Sequence, residues 1–252
     1  MKILCLHGKG TSARIFESQT QSFRTHLPPY YAYDFLPGEV PMNTYKEISD
    51  FFPGPYLCYH EVNTMEAVGD VFGWVGGVVE DEGPFDGVMG FSQGAVILYH
   101  QIHHPFSPPL FRFAIFICGG APFSCTPSHG ADVTELYIKD GVMHGDIMHE
   151  SHADEVEERP SSADTPEEAF GSTVRRFNAK VDKERLEIPT AHIYGANDVD
   201  VRKSEKLVEL CEEKVRYTYV HQGGHNIPRG EETSRGIADV VRKVVARSEM
   251  AS

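Results

Sequence analysis

The sequence predicts an α/β protein built on a doubly wound, mainly parallel sheet. Three observations carry the prediction. Short, mostly apolar runs at 2–6, 85–90, 113–118 and 190–194 read as strands buried on both faces. Each run ends in a loop that contains glycine. Segments with helical spacing of apolar residues separate the runs, and that alternation gives parallel sheets with crossover helices.

Taken in order, the first strand is Lys2-Ile3-Leu4-Cys5-Leu6, followed by His7-Gly8-Lys9-Gly10. Residues 13–24 place Ala13, Ile15, Phe16 and Phe23 among polar neighbours and predict an amphipathic helix. Residues 30–35 are aromatic and strand-like. Pro37, Pro41, Pro53 and Pro55 make the next stretch irregular, although it carries Phe51, Phe52, Tyr56 and Tyr59. A helix is expected over 65–81 despite four glycines, each of which weakens it. The strands at 85–90 and 113–118 follow. Residues 122–182 are then rich in Asp, Glu, Ser, Pro and His, with no run resembling a core strand. They are expected to form a mobile cover, partly helical over 166–181. The sheet resumes at 190–194. A helix over 203–214, a strand over 215–221 and a loop lead to a last helix, whose Ile237, Val240, Val241, Val244 and Val245 share one face.

The chain of 252 residues fits a single α/β domain over 1–252 with a lid-like excursion over about 122–185. The charge, 23 − 37 = −14, argues against nucleic acid and anionic membranes as partners. Five cysteines, an odd number without a CxxC pair, read as reduced thiols. No signal peptide is expected before the first strand, and no apolar run is long enough to span a bilayer. A cytoplasmic protein is the expectation.

The chemistry centres on Phe85-Asp86-Gly87-Val88-Met89-Gly90-Phe91-Ser92-Gln93-Gly94-Ala95. Strand, Gly-x-Ser-x-Gly and helix together form a nucleophile elbow, which thrusts the Ser92 hydroxyl out at the carboxyl end of the sheet. Asp198 and His225 each follow a later strand. Their order, Ser92, Asp198, His225, is that of α/β-hydrolases. A serine hydroxyl is a poor nucleophile at neutral pH. It needs a histidine to take its proton and a carboxylate to hold that histidine in the right tautomer. Asp198 alone would pass for a turn residue, Asp200 is a rival acid two residues on, and His225 alone would pass for a helix cap. Three such residues, each after its own strand and in this order, point to one site beyond the strand ends.

Acyl transfer also needs donors for an oxyanion. The Gln93 amide is one, and the loop after the first strand supplies the other, Lys9 first and Gly10 second. His7 reads as a structural loop histidine. Phe51, Phe52 and Tyr56, with Tyr59, are candidates for an apolar substrate wall, with ordinary core packing as the competing reading. His144, His149 and His152, among Asp146, Glu150 and Asp154, match no common zinc spacing. No metal or cofactor is expected.

Several stretches together carry a resemblance. They are Leu6-His7-Gly8-x-Gly10-Thr11, Ile15-Phe16-Glu17-x-Gln19-Thr20, Gly87-x-x-Gly90-Phe91-Ser92-Gln93-Gly94-Ala95, Pro189-Thr190-x-His192-x-x-Gly195-x-x-Asp198 and Gly223-Gly224-His225-x-x-Pro228. With these the chain resembles the fungal FSH1 serine hydrolases. The resemblance implies an α/β-hydrolase fold with Ser92, Asp198 and His225 as a triad. It also implies an esterase, or a thioesterase that releases polyketide chains from a synthase in secondary metabolism. Lys9 stands where the family often has an aromatic residue. The expectation is therefore a metal-independent serine hydrolase acting on a small-molecule acyl ester or thioester, with the acyl carrier domain of a polyketide synthase as a possible partner. Its rivals are a carboxylesterase with no carrier partner and a non-catalytic synthase-binding protein on a hydrolase scaffold.

Overall fold

The computed structural model describes residues 1–103, 110–145 and 169–250. The strands are β1 (Lys2–Leu6), β2 (Ala32–Leu36), β3 (Val40–Pro41), β4 (Leu57–Cys58), β5 (Gly87–Phe91), β6 (Phe113–Ile117), β7 (Phe123–Ser124), β8 (Ala131–Asp132), β9 (Ile138–Lys139), β10 (Val142–Met143), β11 (Arg175–Arg176), β12 (Thr190–Gly195) and β13 (Arg216–His221). The α-helices are α1 (Ala13–Arg24), α2 (Lys46–Ser49), α3 (Met65–Glu82), α4 (Gln93–His103), α5 (Val201–Glu209) and α6 (Glu231–Met250). Six strands form the central sheet in the order β13-β12-β6-β5-β1-β2, and every neighbouring pair is parallel.

The apolar strand runs follow from this topology, because helices cover both faces. Side chains alternate across a strand. In β1, Ile3 and Cys5 enter a core with Phe16 and Phe23 of α1 and Ile237, Val241 and Val244 of α6. Leu4 and Leu6 face the other way, among Val71 and Val75 of α3, Leu98 of α4 and Leu207 of α5. Truncating such a fully buried leucine to alanine typically costs about 2–5 kcal/mol.

Two helices are opened by side-chain caps. The Ser12 hydroxyl accepts from the Ile15 amide before α1, and the Thr64 hydroxyl accepts from the Ala67 amide before α3. Helix α3 forms despite its glycines because Met65, Val68, Val71 and Val75 are buried along one face. Around Gly76 and Gly77 a Cβ would meet no atom within 4 Å. Alanine at either position is expected to raise stability by about 0.5–1 kcal/mol, since glycine costs that much in a helix interior. Denaturation midpoints below wild type would contradict this.

The structure differs from the sequence reading beyond β6. Residues 169–181 hold no α-helix; they contain a short turn and strand β11. Strands β7, β11 and β8 form a separate antiparallel sheet. Its apolar cluster, Phe123, Val133, Leu136, Tyr137 and Val174, packs on Val68 of α3 and Val96 of α4. Two-residue strands, one of them a pair of arginines, have too little length to show a period. Helix α5 also stops earlier than expected, because Leu186 and Cys211 form a parallel bridge and the Glu212 amide donates to the Leu186 carbonyl. The rest of the excursion, including Asp146, His149, Glu150, His152 and Asp154, lies outside the described residues; the His144 amide donates to the Tyr137 carbonyl.

Candidate active site

Ser92 follows β5 with φ of 51°, in the left-handed region that favours glycine. Its amide donates to the Ile117 carbonyl at 2.9 Å, which holds the turn against β6. A Cβ on Gly90 would strike the Ala95 backbone, and one on Gly94 would strike the Leu6 carbonyl. The two glycines therefore permit the close packing that a strained serine between strand and helix requires.

Asp198 and His225 reach Ser92 from the ends of β12 and β13. His225 Nε2 lies 3.0 Å from Ser92 Oγ, and His225 Nδ1 lies 2.8 Å from Asp198 Oδ2. A carboxylate only accepts, so Nδ1 carries the hydrogen in the neutral ring and Nε2 is left to accept from the Ser92 hydroxyl. Asp198 Oδ1 accepts from the Asp200 amide at 2.9 Å. Burial alone would push the Asp198 carboxyl up. The hydrogen bonds from His225 and the Asp200 amide, with the charges of His225 and Lys203, outweigh burial and hold its pKa below the usual value. The rival Asp200 carboxylate pairs instead with Lys203 Nζ at 2.5 Å.

The acid and histidine loops are laced together. The Ala196 amide donates to the His221 carbonyl, the Asn197 amide to the Gly223 carbonyl, and Asn197 Nδ2 to the Gln222 carbonyl. The His225 ring also lies against the Phe91 ring, with centroids 5.4 Å apart.

The loop after β1 abuts the nucleophile: a Cβ on Gly8 would lie 3.3 Å from Ser92 Cβ. Lys9 is in this loop. The Gly10 amide, the second choice as an oxyanion donor, is committed to the Leu57 carbonyl at 3.0 Å. His7 is buried beneath the loop. Its Nδ1 donates to the Gly8 carbonyl, its Nε2 accepts from the Gly38 amide, and burial lowers its pKa to about 4. It stays neutral as a structural group.

Gln93 opens α4 directly after Ser92. Its side chain does something the sequence did not reveal. Oε1 accepts from the Tyr59 amide at 3.0 Å and Nε2 donates to the His60 carbonyl at 2.9 Å. This clamps the 59–60 segment onto the elbow. Tyr59 itself is core, its hydroxyl donating to the Leu36 carbonyl and accepting from the His7 amide. It packs on the Trp74 ring of α3, with centroids 6.2 Å apart.

The four aromatic residues expected to share a wall therefore separate. Tyr59 is in the core, whereas Phe51 is 80% exposed. Phe52 is half-buried with the Arg229 guanidinium 5.7 Å over its ring, and the Tyr56 hydroxyl donates to the Phe52 carbonyl. Arg229 lies four residues beyond His225 in the chain.

Cys118, just past β6, is a site neighbour that the sequence reading missed. Its φ is 47°. Ligand-type atoms of Cys118, Asp198 and His225 all lie within 4.8 Å of one another. Burial and then the Asp198 charge push the thiol up to about 12, so it stays protonated, with its hydrogen toward the Asn226 carbonyl 3.8 Å away. With the Asp198 and His225 atoms already bonded to each other, this cluster serves the hydrogen-bond chain to Ser92. A lone cysteine ending an apolar run reads in sequence as core.

A family model for serine hydrolases (FSH1) matches residues 1–237. The chain belongs to the FSH1 serine hydrolase family. It is 31% identical over 255 residues to esterase FPY3 of Fusarium mangiferae, covering 98% of both chains. It is 30% identical over 277 residues to esterase alnB of Emericella nidulans, again covering 98% of both. Among solved structures it is similar to a carboxylesterase from Mesorhizobium loti, with a TM-score of 0.54, 14% identity, and coverage of 98% of this chain and 88% of that one. A monoacylglycerol lipase from Paleococcus ferrophilus matches with a TM-score of 0.54, 13% identity, and coverage of 96% and 94%. At these identities the solved structures show the fold alone, which is that of the α/β-hydrolases. The chain is thus a hydrolytic enzyme of the serine hydrolase class. Among its described residues no helix is long and apolar enough to cross a membrane.

Proposed function

We propose that Ser92, His225 and Asp198 act as nucleophile, base and acid in the hydrolysis of an acyl ester or thioester. The observation that carries this is the continuous chain of hydrogen bonds, 3.0 Å from Ser92 Oγ to His225 Nε2 and 2.8 Å from His225 Nδ1 to Asp198. Ser92 Oγ attacks the acyl carbonyl while His225 Nε2 takes its proton. Asp198 keeps the Nδ1 hydrogen in place and stabilises the imidazolium. The Gln93 and Lys9 amides donate to the oxyanion. Collapse of the tetrahedral intermediate sends the proton from Nε2 to the leaving group. Water, deprotonated by His225, then releases the acid.

The finer substrate reading is a chain carried as a thioester on the acyl carrier domain of a synthase. The resemblance to polyketide-releasing FSH1 hydrolases supports it; one triad handles oxygen and sulfur esters alike. We read residues 122–182 as a cover within one domain, and five free cysteines suit a reducing, cytoplasmic setting. Phe52 and Tyr56, with Phe51 exposed beside them, are the candidate acyl contacts.

A fluorophosphonate probe is expected to label wild type on Ser92 and to leave Ser92→Ala unlabelled. Folded wild type that takes no label would remove the enzymatic assignment of this serine and favour a synthase-binding role. A clear preference for short oxygen esters over acyl thioesters would favour the plain carboxylesterase.

A further inference from the structure

Beside the site lies a buried cation that no step above uses. Arg176 is 7% exposed, and its Nε has no hydrogen-bond partner. Its recorded interaction is with the face of the Phe123 ring, 4.8 Å from the guanidinium carbon. Among the described residues it forms no ion pair. Burying a guanidinium this way is costly unless an acceptor meets it.

The adjacent arginine shows what a satisfied case looks like. Successive side chains of a strand point to opposite faces. Arg175, on the other face of β11, donates to the His129 and Gly130 carbonyls. Asp132 and Asp182 both attract it electrostatically. Its needs are met within the fold, whereas among the described residues Arg176 Nε has no acceptor.

The position of Arg176 says where its acceptor comes from. β11 pairs with β7 and β8, setting Arg176 opposite Phe123 and Ala131. The Phe177 amide donates to the Pro122 carbonyl at 2.8 Å, which fixes this part of β11 over the loop that leaves β6. In that loop a Cβ on Gly120 would lie 3.6 Å from Arg176 Nη2. Gly120 is two residues past Cys118, whose sulfur lies within 4.8 Å of the Asp198–His225 pair. The guanidinium therefore stands at the carboxyl end of β6, next to the strand that carries the nucleophile.

We propose that Arg176 binds an anionic oxygen, a carboxylate on the acyl part of the substrate, and so sets specificity for acidic acyl chains. A planar guanidinium suits this role because it meets a carboxylate through parallel N–H donors. The inference rests on Ser92 being the nucleophile that takes that acyl group.

The test pairs mono-4-nitrophenyl esters of dicarboxylic acids, from succinic to suberic, with 4-nitrophenyl esters of the matching monocarboxylic acids. The readout is the ratio of kcat/KM for the acidic ester to that for the neutral ester at each length. At the best length the ratio is expected to fall about tenfold to a hundredfold in Arg176→Gln, as loss of a charge-assisted hydrogen bond implies, and to be partly kept in Arg176→Lys. A ratio that is the same in wild type and Arg176→Gln at every length overturns the proposal. If Arg176→Gln does not fold, wild type alone decides: free dicarboxylic acids should inhibit at least tenfold more tightly than their monoamides, and equal inhibition overturns the proposal. Neutral-ester hydrolysis that survives Ser92→Ala would instead remove the reading of the site on which this inference rests.

Discussion

Asp198→Asn is expected to lower kcat/KM for an acyl ester by about 10³–10⁴-fold while the protein remains folded. The geometry gives the reason. Asp198 uses one oxygen for the Asp200 amide and the other for His225 Nδ1. Asparagine has one oxygen. If that oxygen stays with the Asp200 amide, the NH₂ group faces His225 and donates to Nδ1. The imidazole hydrogen then moves to Nε2, and Nε2 can no longer accept from Ser92. Asp200→Asn removes only the exposed pair with Lys203 and should cost less than about tenfold, since such pairs are worth little. Steady-state kinetics beside circular dichroism checks both variants. If Asp200→Asn proves the more damaging, the acid has been misassigned.

Stability should fall steeply as the pH drops from about 6.5 to 4. Burial lowers the pKa of His7 and of His60 to about 4 and that of His192 to about 3; His221 is lowered too. In the unfolded chain these groups take a proton near pH 6.5. Below that pH the unfolded state binds more protons than the folded one, so folding is disfavoured. The stabilisation is whole above about 6.5 and is lost as pH falls through the window, until the folded groups protonate as well. Each fully titrating group contributes a slope of about 1.4 kcal/mol per pH unit, so three approach about 4. Over two units that is comparable with the whole stability of an ordinary domain. Asp198, whose folded pKa is lowered, adds a loss only below its unfolded value of 3.8. Urea unfolding at steps between pH 7.5 and 4.5 measures the slope. A flat profile would mean that these histidines accept protons without loss of fold.

The parts that were legible in the sequence share a physical cause. Strands buried on both faces are mostly apolar, so β1, β5, β6 and β12 announced themselves, the buried Thr190 and His192 of β12 being bonded to each other. Helix α6 did so through Ile237, Val241 and Val244 on one face. Gly90 and Gly94 are dictated by backbone contact at the elbow, and that made Ser92 visible. What stayed hidden depends on contacts between distant segments. Cys118 reaches Asp198 and His225 only through the sheet order. The Gln93 side chain grips residues more than thirty positions away. The β7-β11-β8 sheet has strands too short for a pattern, and adjacent arginines in β11 gave no sign that one would be satisfied and the other not. Tyr59 looked like its aromatic neighbours, and only its hydroxyl bonds set it apart.

The contact between Trp74 and Tyr59 gives the molecule a built-in optical reporter. Trp74 is the single tryptophan of the chain. It sits on α3 beside the β1–β5 half of the sheet, where its emission senses whether Tyr59 has docked over His7. Turnover needs more, because Asp198 and His225 hang from β12 and β13 at the opposite edge. During refolding from urea, fluorescence therefore follows one half of the sheet and recovered activity follows both. Coincident time courses would mean that the halves close together, and a lag in activity would mean that the second half closes last.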